Sequence, residues 1–254
     1  TAGNRLFGSE ADADHVVTYR YVNRGGDMKR LLTESRALFA LDPKTGSKLW
    51  RYQATESIRH NAIAVAGNKI FLIDRPQAKF DRVKKPKSLK HAFGRLLALD
   101  TQSGEIVWQQ DDEIFGTLLV AVPKSDILLM SYQPTRFRLD SERGGRMAAF
   151  RLSDGKRLWD RKIEYASRPF IHHGTIYAQG GAWDLATGDP RPFAFKRSYG
   201  CGVLAASERL MVFRSATLGY YDLTGDKKTL NYGGMRPGCW INALPVGGVV
   251  AVPD

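Results

Sequence analysis

Short runs of alternating apolar and polar residues, separated by turn-forming residues, extend along most of the chain. Examples are "KIFLID" (69–74), "LLALD" (96–100) and "RLMVFRS" (209–215). Runs of this length, rich in branched and aromatic side chains, are typical of strands with a buried face. Glycine, asparagine and aspartate residues lie between many of them and favour tight turns. The pattern predicts an all-β protein built from many short strands.

One sequence frame recurs at a constant internal spacing. Residues 40–50 ("ALDPKTGSKLW"), 98–108 ("ALDTQSGEIVW") and 149–159 ("AFRLSDGKRLW") share the frame Ala-x-(Asp/Arg)-x-x-x-Gly-x-x-x-Trp. Residues 182–192 keep the Ala, Asp and Gly but have proline at the tryptophan position. Residues 220–230 are a weaker copy, in which the glycine comes one residue early.

Each position of the frame has a physical role. The aspartate accepts hydrogen bonds from nearby backbone amides and the glycine adopts a positive φ, so that the two close a turn. The tryptophan ends the next strand and packs between neighbouring repeats. The residues with these structural roles are Asp42, Asp100, Asp184, Gly46, Gly104, Gly155, Gly188, Trp50, Trp108 and Trp159.

Two further strand-like runs precede each frame, so that one repeat contains four strands, A to D. Before the second frame these runs are "NAIAVAG" and "KIFLID". Four short antiparallel strands per repeat are typical of a β-propeller blade. A β-sandwich with unrelated turns is the alternative, and three frames of identical spacing disfavour it.

The frame resembles the tryptophan-docking repeat of the pyrroloquinoline-quinone-like (PQQ-like) β-propellers over about residues 37–232. The segment "RPGCWINALPVGGVVAVPD" (236–254) is similar to a segment of PQQ-like propeller proteins of planctomycete type. The resemblance implies a propeller fold. The family contains quinoprotein dehydrogenases as well as non-catalytic scaffolds, among them a lipoprotein that helps to assemble outer-membrane barrels. The fold therefore does not select a function.

The two ends of the chain predict incomplete blades. Residues 15–52 supply strands B to D only, and we expect residues 1–14 to form no strand. Residues 239–252 supply strands A and B of another blade. About four blades are complete, and a propeller closes its ring to cover edge strands. We therefore interpret residues 1–254 as one PQQ-like propeller domain or the C-terminal portion of one, with further blades coming from missing sequence or another chain.

Nearly all of the net charge of +12 lies in three long connections between strands B and C. Residues 75–95 carry +7, and residues 23–36 and 133–147 carry +2 each. Because strand direction alternates within a blade, the B-to-C and D-to-A connections share one face. We expect these loops to form an electropositive collar on that face. The collar residues are Lys84, Lys85, Lys87 and Lys90.

The expected partner of the collar is an acidic protein surface, an anionic glycan or an anionic membrane surface. Nucleic acid is disfavoured, because no base-stacking aromatic residues are interleaved in a recognisable module. A solvated basic face without a dedicated ligand is the alternative interpretation.

The starts of the inner strands meet the same face, at the mouth of the central channel. The residues predicted to bind a ligand there are Arg59, His60, Asn61, Arg168, Arg197 and Arg236. The alternative is that each arginine pairs with a carboxylate or a carbonyl of the next blade, because unpaired convergent charges are costly.

A quinoprotein enzyme requires a calcium ion held by carboxylate and amide oxygens, and an aspartate acting as a base. The only acidic cluster near an inner-strand start is 111–113, which we interpret as a solvated turn. Cys201 and Cys239 are not adjacent, so they cannot form the vicinal disulfide that the resemblance would imply for many such enzymes. His172 and His173 abut Gly174 at an A-to-B turn and are interpreted as turn residues rather than metal ligands, since neighbouring side chains on a strand point in opposite directions and would not bind one ion together.

These observations favour a non-catalytic binding or scaffold module in the periplasm or another extracytoplasmic compartment. No metal site and no cofactor are predicted. PQQ and calcium belong to the alternative, an alcohol or sugar dehydrogenase whose acidic site residues lie outside this chain.

Overall fold

The computed structural model describes residues 4–11, 16–17, 31–32, 34–77, 93–132, 145–200, 202–225, 228–238 and 243–252. The strands are β1 (Leu6–Glu10), β2 (Val16–Val17), β3 (Leu31–Leu32), β4 (Glu34–Leu41), β5 (Lys48–Ala66), β6 (Lys69–Asp74), β7 (Gly94–Asp100), β8 (Ile106–Ile114), β9 (Leu118–Val122), β10 (Ile127–Ser131), β11 (Met147–Arg151), β12 (Arg157–Arg161), β13 (Phe170–His172), β14 (Thr175–Ala178), β15 (Gly181–Asp184), β16 (Pro190–Arg191), β17 (Ala205–Ala206), β18 (Leu210–Ser215), β19 (Thr217–Asp222), β20 (Thr229–Tyr232), β21 (Leu244–Val246) and β22 (Val249–Ala251). A short 3-10 helix covers Pro123–Ser125. No helix in the described part of the chain is long and apolar enough to cross a membrane.

The strands pair as antiparallel sheets in the order of the sequence repeats. Repeats 3, 4 and 5 are four-stranded sheets with the orders β12-β11-β10-β9, β13-β14-β15-β16 and β17-β18-β19-β20. β21 and β22 pair with each other and begin a sixth repeat. The predicted all-β class with four-stranded antiparallel repeats is confirmed.

Repeats 1 and 2 share a six-stranded sheet with the order β1-β4-β5-β6-β7-β8. The first part of β5 pairs with β4 and its last part pairs with β6, with a register shift between Ile58 and Ile63. The sequence predicts two separate strands here. The structure joins them, and the amides of residues 55–57 between them donate to the carboxylate of Asp74.

The expectation that residues 1–14 form no strand is wrong. β1 pairs with β4 from Leu6 opposite Leu41 to Glu10 opposite Ala37, and it takes the position of strand B in repeat 1. β2, which lies in the segment predicted to be that strand, pairs with β3 instead. A Cβ atom on Gly8 of β1 would lie 2.5 Å from the ring of Phe39, so the glycine allows that ring to cover the strand.

The chain divides into two compact units, and each has cores between consecutive repeats. Unit 1 comprises residues 1–164 and 185–188, and unit 2 comprises residues 165–184 and 189–254. In unit 1, Phe71 of repeat 2 and Phe150 of repeat 3 belong to one buried cluster. In unit 2, Tyr177 of repeat 4 packs against the cluster that contains Phe213 of repeat 5.

The frame turns close through the carboxylate and the glycine. Asp42 Oδ1 accepts from the amides of residues 44 and 45, and Asp100 Oδ1 accepts from those of residues 102 and 103. In the third frame arginine replaces this aspartate, and Asp126 of the A-to-B turn accepts from the amide of Ser153 instead. The four frame glycines have positive φ values between 71° and 76°.

Each frame tryptophan lies against the glycine turn of the following repeat. Trp50, Trp108 and Trp159 donate through Nε1 to the carbonyl oxygens of Thr101, Leu152 and Leu185 at 3.0, 3.1 and 2.9 Å. A Cβ atom on Gly104, Gly155 or Gly188 would lie 2.6 to 2.8 Å from the indole. The glycine is therefore required for the close approach of the ring as well as for its positive φ.

Candidate functional site

The candidate binding surface is the face formed by the B-to-C and D-to-A connections, which we call the loop face. Its three long B-to-C connections are residues 23–36, 75–95 and 133–147. Lys84, Lys85, Lys87 and Lys90 lie outside the described residues, as do Cys201 and Cys239. The described part of the loop face consists of the ends of these connections and the starts of the inner strands.

Arg59 forms a buried ion pair with Glu34. Arg59 Nη1 lies 2.6 Å from Glu34 Oε2, and the two side chains are 3% and 1% exposed. The hydroxyl of Ser57 donates to the same carboxylate oxygen at 2.8 Å. The charge of Arg59 is thus compensated inside the fold, by a residue of repeat 1. This arrangement corresponds to the alternative interpretation of the channel-mouth arginines.

His60 and Asn61, which follow Arg59 on β5, are exposed. His60 Nε2 lies 2.8 Å from the hydroxyl oxygen of Ser35. Partial desolvation lowers the pKa of His60, so its neutral form is favoured. A neutral imidazole and an amide at this position are hydrogen-bonding groups rather than additional positive charges.

Asp74, the last residue of β6, is a fully buried hydrogen-bond acceptor. Its carboxylate accepts from Arg95 Nη2 at 2.9 Å, from the amides of residues 55–57 and from the hydroxyl of Tyr52 at 3.3 Å. Burial and the nearby Asp74 charge raise the pKa of Tyr52 to about 12. Asp74 therefore holds the start of repeat 2 and one end of the 75–95 connection.

Arg75 is buried and joins repeat 2 to repeat 3. Its Nη1 donates to the carbonyl oxygen of Phe115 at 2.8 Å. A Cβ atom on Gly94 would lie 2.5 Å from Arg75 Cβ, so the returning chain requires glycine here. Arg75 and Arg95 are two of the eight basic residues of the 75–95 connection and are bonded within the fold, whereas the other six lie in residues 78–92.

Arg146, at the end of the 133–147 connection, bridges repeats 2 and 3. Its guanidinium binds the Asp160 carboxylate through two bonds of 2.8 and 2.7 Å, pairs with Glu113 and covers the Phe115 ring. The hydrogen bond to Asp160, partly offset by desolvation, raises the pKa of Arg146. Arg146 thus bridges the two carboxylates, and Asp160 also lies 3.9 Å from Arg157.

The interpretation of residues 111–113 as a turn is wrong, although all three residues are exposed as expected. They belong to β8, and Asp112 pairs with Arg157 of repeat 3 at 3.1 Å while Glu113 pairs with Arg146. These acidic residues form ion pairs with arginines of the next repeat. The partners are too far apart in sequence for the pairing to be predicted from it.

The remaining predicted arginines belong to unit 2. Arg197 is half-buried and donates through Nε to the carbonyl oxygen of Arg214 at 2.8 Å and through Nη1 to Gln179 at 3.2 Å. Arg168 and Arg236 are exposed, and no carboxylate among the described residues pairs with either. Within unit 2, therefore, Arg168 and Arg236 are the predicted site residues that can meet an external anion.

Unit 2 also contains a groove of about 450 Å³ beside the edge strand β20. Residues 196–198 are held against the edge of this sheet by two hydrogen bonds. The amide of Lys196 donates to the Thr229 hydroxyl at 2.9 Å, and the amide of Ser198 donates to the Ser215 hydroxyl at 3.0 Å. The polar lining consists of Lys196, Ser198, Ser215, Lys228, Thr229 and Asn231. Two ammonium groups, hydroxyls and an amide are donors suited to a carboxylate or another oxyanion.

Comparisons with known proteins establish the family. A family model, PQQ_2, described as outer membrane protein assembly factor BamB, matches residues 20–218. The chain belongs to this BamB family. No curated protein matches the sequence.

The solved structure of BamB from Moraxella catarrhalis is similar to this BamB-family chain, with a TM-score of 0.53 and 17% identity over 97% of this chain and 70% of that one. A europium-containing methanol dehydrogenase has a TM-score of 0.43 and 17% identity over 73% of this chain and 44% of that one. The Pan2 WD40 domain of Neurospora crassa has a TM-score of 0.47 and 9% identity, covering 83% and 64%. The match to BamB confirms the predicted β-propeller fold.

Three carboxylates of this BamB-family loop face do not fit a calcium site. Calcium takes about six to eight oxygen ligands. Glu34, Asp74 and Asp160 are already bonded to arginines. Releasing Glu34 to a metal would leave Arg59 buried without its counter-charge, which is costly.

Proposed function

We propose that this chain is a non-catalytic binding module whose loop face holds an acidic surface of a partner protein. The observation that carries the proposal is the pairing of five described carboxylates near that face with arginines. These acids are Glu10, Glu34, Asp74, Glu113 and Asp160, and their arginine partners are Arg36, Arg51, Arg59, Arg95 and Arg146. Because these acids are already paired with arginines, the net charge of +7 in residues 75–95 favours an acidic surface of a partner.

The groove of unit 2 supports the same chemistry. Lys196 lines this groove beside the hydroxyl of Ser198 and the amide of Asn231. An aspartate or glutamate side chain of a partner matches such a donor set.

A protein is favoured over a glycan or a membrane because the family is described as an outer membrane protein assembly factor, which is a role among proteins. The same description supports an extracytoplasmic location for this chain. An anionic glycan and an anionic lipid surface are the competing outcomes of the test.

The test changes Lys84, Lys85, Lys87 and Lys90 to glutamine together and measures binding of a fluorescent glutamate-rich peptide. A matched variant changes Lys44, Lys48, Lys124 and Lys156, which are exposed at turns of the opposite face. Exposed ion pairs contribute about 0.2–1 kcal/mol each, so losing four should weaken binding by about fourfold to nearly a thousandfold. The matched variant should bind like the wild type.

Equal loss in both variants would show that only net charge matters, and no loss in either would refute the proposal. Heparin and vesicles containing an anionic lipid are titrated in parallel. If either binds more tightly than the peptide and depends on the same four lysines, the partner is that polyanion and not a protein.

A further inference from the structure

Two adjacent histidines and a glutamate meet where the A-to-B turns of repeats 4 and 5 lie side by side. His172 ends β13, His173 follows it in the turn, and Glu208 lies between β17 and β18. One potential ligand atom from each residue lies within 4.8 Å of those of the others. All three belong to unit 2. They lie at A-to-B turns, whereas the proposed function rests on B-to-C and D-to-A connections, so this cluster is independent of the proposed function.

The backbone of the turn brings the two rings together. His173 has a φ of 43° and Gly174 a φ of 68°. The corresponding turn between β21 and β22 has Gly247 and Gly248 with φ values of 58° and 82°. A residue with a Cβ atom is strained in this left-handed region. His173 therefore occupies a position where the sixth repeat has glycine.

Because of this conformation, the side chain of His173 does not follow the alternating side-chain directions of β13. The rings of His172 and His173 are 4.2 Å apart and nearly perpendicular, at 80°. The expectation that the two side chains point away from each other is wrong, because it holds for strand residues and His173 is a turn residue with positive φ.

Glu208 approaches both rings from the next repeat. Its carboxylate pairs with His173 Nε2, and its Oε2 lies 4.0 Å from His172 Nε2. His172 Nε2 also lies 2.5 Å from the carbonyl oxygen of Glu208. The side chains of His173 and Glu208 are 67% and 72% exposed, so an ion and its water ligands can reach them.

We propose that His172, His173 and Glu208 form a binding site for a divalent transition metal of the zinc type. Two imidazoles and a carboxylate are ligands that zinc accepts at about 2.0–2.2 Å, with water completing the tetrahedron. Such ligands are about 3.3–3.6 Å apart by tetrahedral geometry, so small side-chain rotations suffice. Calcium and magnesium prefer an all-oxygen set, which excludes them here.

The bound metal replaces the contacts that the histidines make with Glu208 and joins the A-to-B turns of two consecutive repeats. The imidazole nitrogens must be unprotonated to bind, so coordination takes the place of the ion pair. The predicted consequence is a metal-dependent increase in the stability of unit 2, with no contribution to the loop face.

The experiment titrates tag-free, chelator-treated protein with zinc chloride by isothermal titration calorimetry. The variants are His173→Gln and Glu208→Gln, and the matched control is Glu105→Gln, which removes an exposed carboxylate from a turn of unit 1. Loss of a residue that hydrogen-bonds to a metal ligand lowers metal affinity by about 10–100-fold. Loss of a ligand itself should therefore lower the zinc affinity by at least that factor. The control should bind zinc like the wild type.

Cobalt chloride distinguishes this site from the two cysteines. A histidine and carboxylate site gives visible cobalt bands without a thiolate charge-transfer band, and His173→Gln should abolish them. Zinc should also raise the thermal midpoint of the wild type but not of the two variants. If His173→Gln fails to fold, Glu208→Gln decides.

Absence of zinc binding to the wild type, equal binding by the variants, or a cobalt spectrum dominated by thiolate would each overturn the proposal.

Discussion

The indole of Trp50 lies on Gly104, so closely that a Cβ atom on that glycine would be 2.6 Å from Trp50 Cδ2. The indole nitrogen donates to the carbonyl oxygen of Thr101 in the same turn at 3.0 Å. One repeat therefore supplies the ring and the next supplies both the surface and the hydrogen-bond acceptor. The same arrangement recurs for Trp108 on Gly155 and Trp159 on Gly188.

Gly104→Ala should destabilise the protein more than Gly46→Ala. Both glycines have positive φ, 75° and 71°, but Gly46 has no atom within 4 Å of a built Cβ. Strain alone should cost about 1–2 kcal/mol at either position. The clash with Trp50 should add about 1–3 kcal/mol at Gly104. Urea unfolding measures the two costs, and equal values would contradict the packing role of Gly104.

Trp50→Ala should lower the free energy of unfolding by about 3–5 kcal/mol, as expected for a large buried aromatic residue. Trp50 is 9% exposed and belongs to the core between repeats 1 and 2. Leu49→Ala is the control, since the preceding side chain of β5 is exposed. Comparable losses in the two variants would argue against a special role of the indole.

Glu34→Gln should cost about 3–5 kcal/mol, because it leaves the buried Arg59 without its counter-charge. Replacing both residues by methionine should cost less than Glu34→Gln, because no charge is then left buried. Glu10→Gln, which removes a surface partner of Arg51, is the control and should have a smaller effect. The pairing account fails if Glu34→Gln is no more harmful than Glu10→Gln in denaturant unfolding.

Ionisation of Glu10 should make the free energy of unfolding depend on pH in the acid range. Hydrogen bonds from Arg51 and then Arg36 lower the pKa of Glu10 from 4.5 to about 2. Since the folded-state pKa lies below the unfolded one, the ionised carboxylate stabilises the fold above pH 4.5, and this contribution is lost as the pH falls through about 2. The difference in unfolding free energy between wild type and Glu10→Gln should shrink over that interval. A difference independent of pH would show that Glu10 is not held in its charged form.

The turns of the fold could be predicted from the sequence because their chemistry is local. An aspartate and a glycine four residues apart close the turn on themselves, as Asp42 and Gly46 do. β1 could not be predicted in the same way. Its sequence "LFGSE" has only two large apolar residues and no frame, and it becomes a strand through pairing with β4.

The side-chain partners on the loop face depend on residues that are distant in sequence. Arg59 pairs with Glu34 and Arg146 with Glu113, each across a repeat boundary. The burial of Glu34 and Asp74 could have been predicted from the sequence, since each is a charged residue at the border of an apolar strand run. The close approach of the His172 and His173 rings could not be predicted, because it depends on the positive φ of His173, which is rare for a residue other than glycine.

The salt dependence of acidic-peptide binding tests the binding account most directly, because it counts the charges that the loop face uses. Exposed charges are screened over about 10 Å at 0.1 M salt. The logarithm of the dissociation constant is measured against the logarithm of the salt concentration for wild type, the Lys84/Lys85/Lys87/Lys90→Gln variant and the matched Lys44/Lys48/Lys124/Lys156→Gln variant. The account predicts a steep slope for the wild type, the same slope for the matched variant and a much shallower slope for the loop variant. Identical slopes for all three proteins would contradict it.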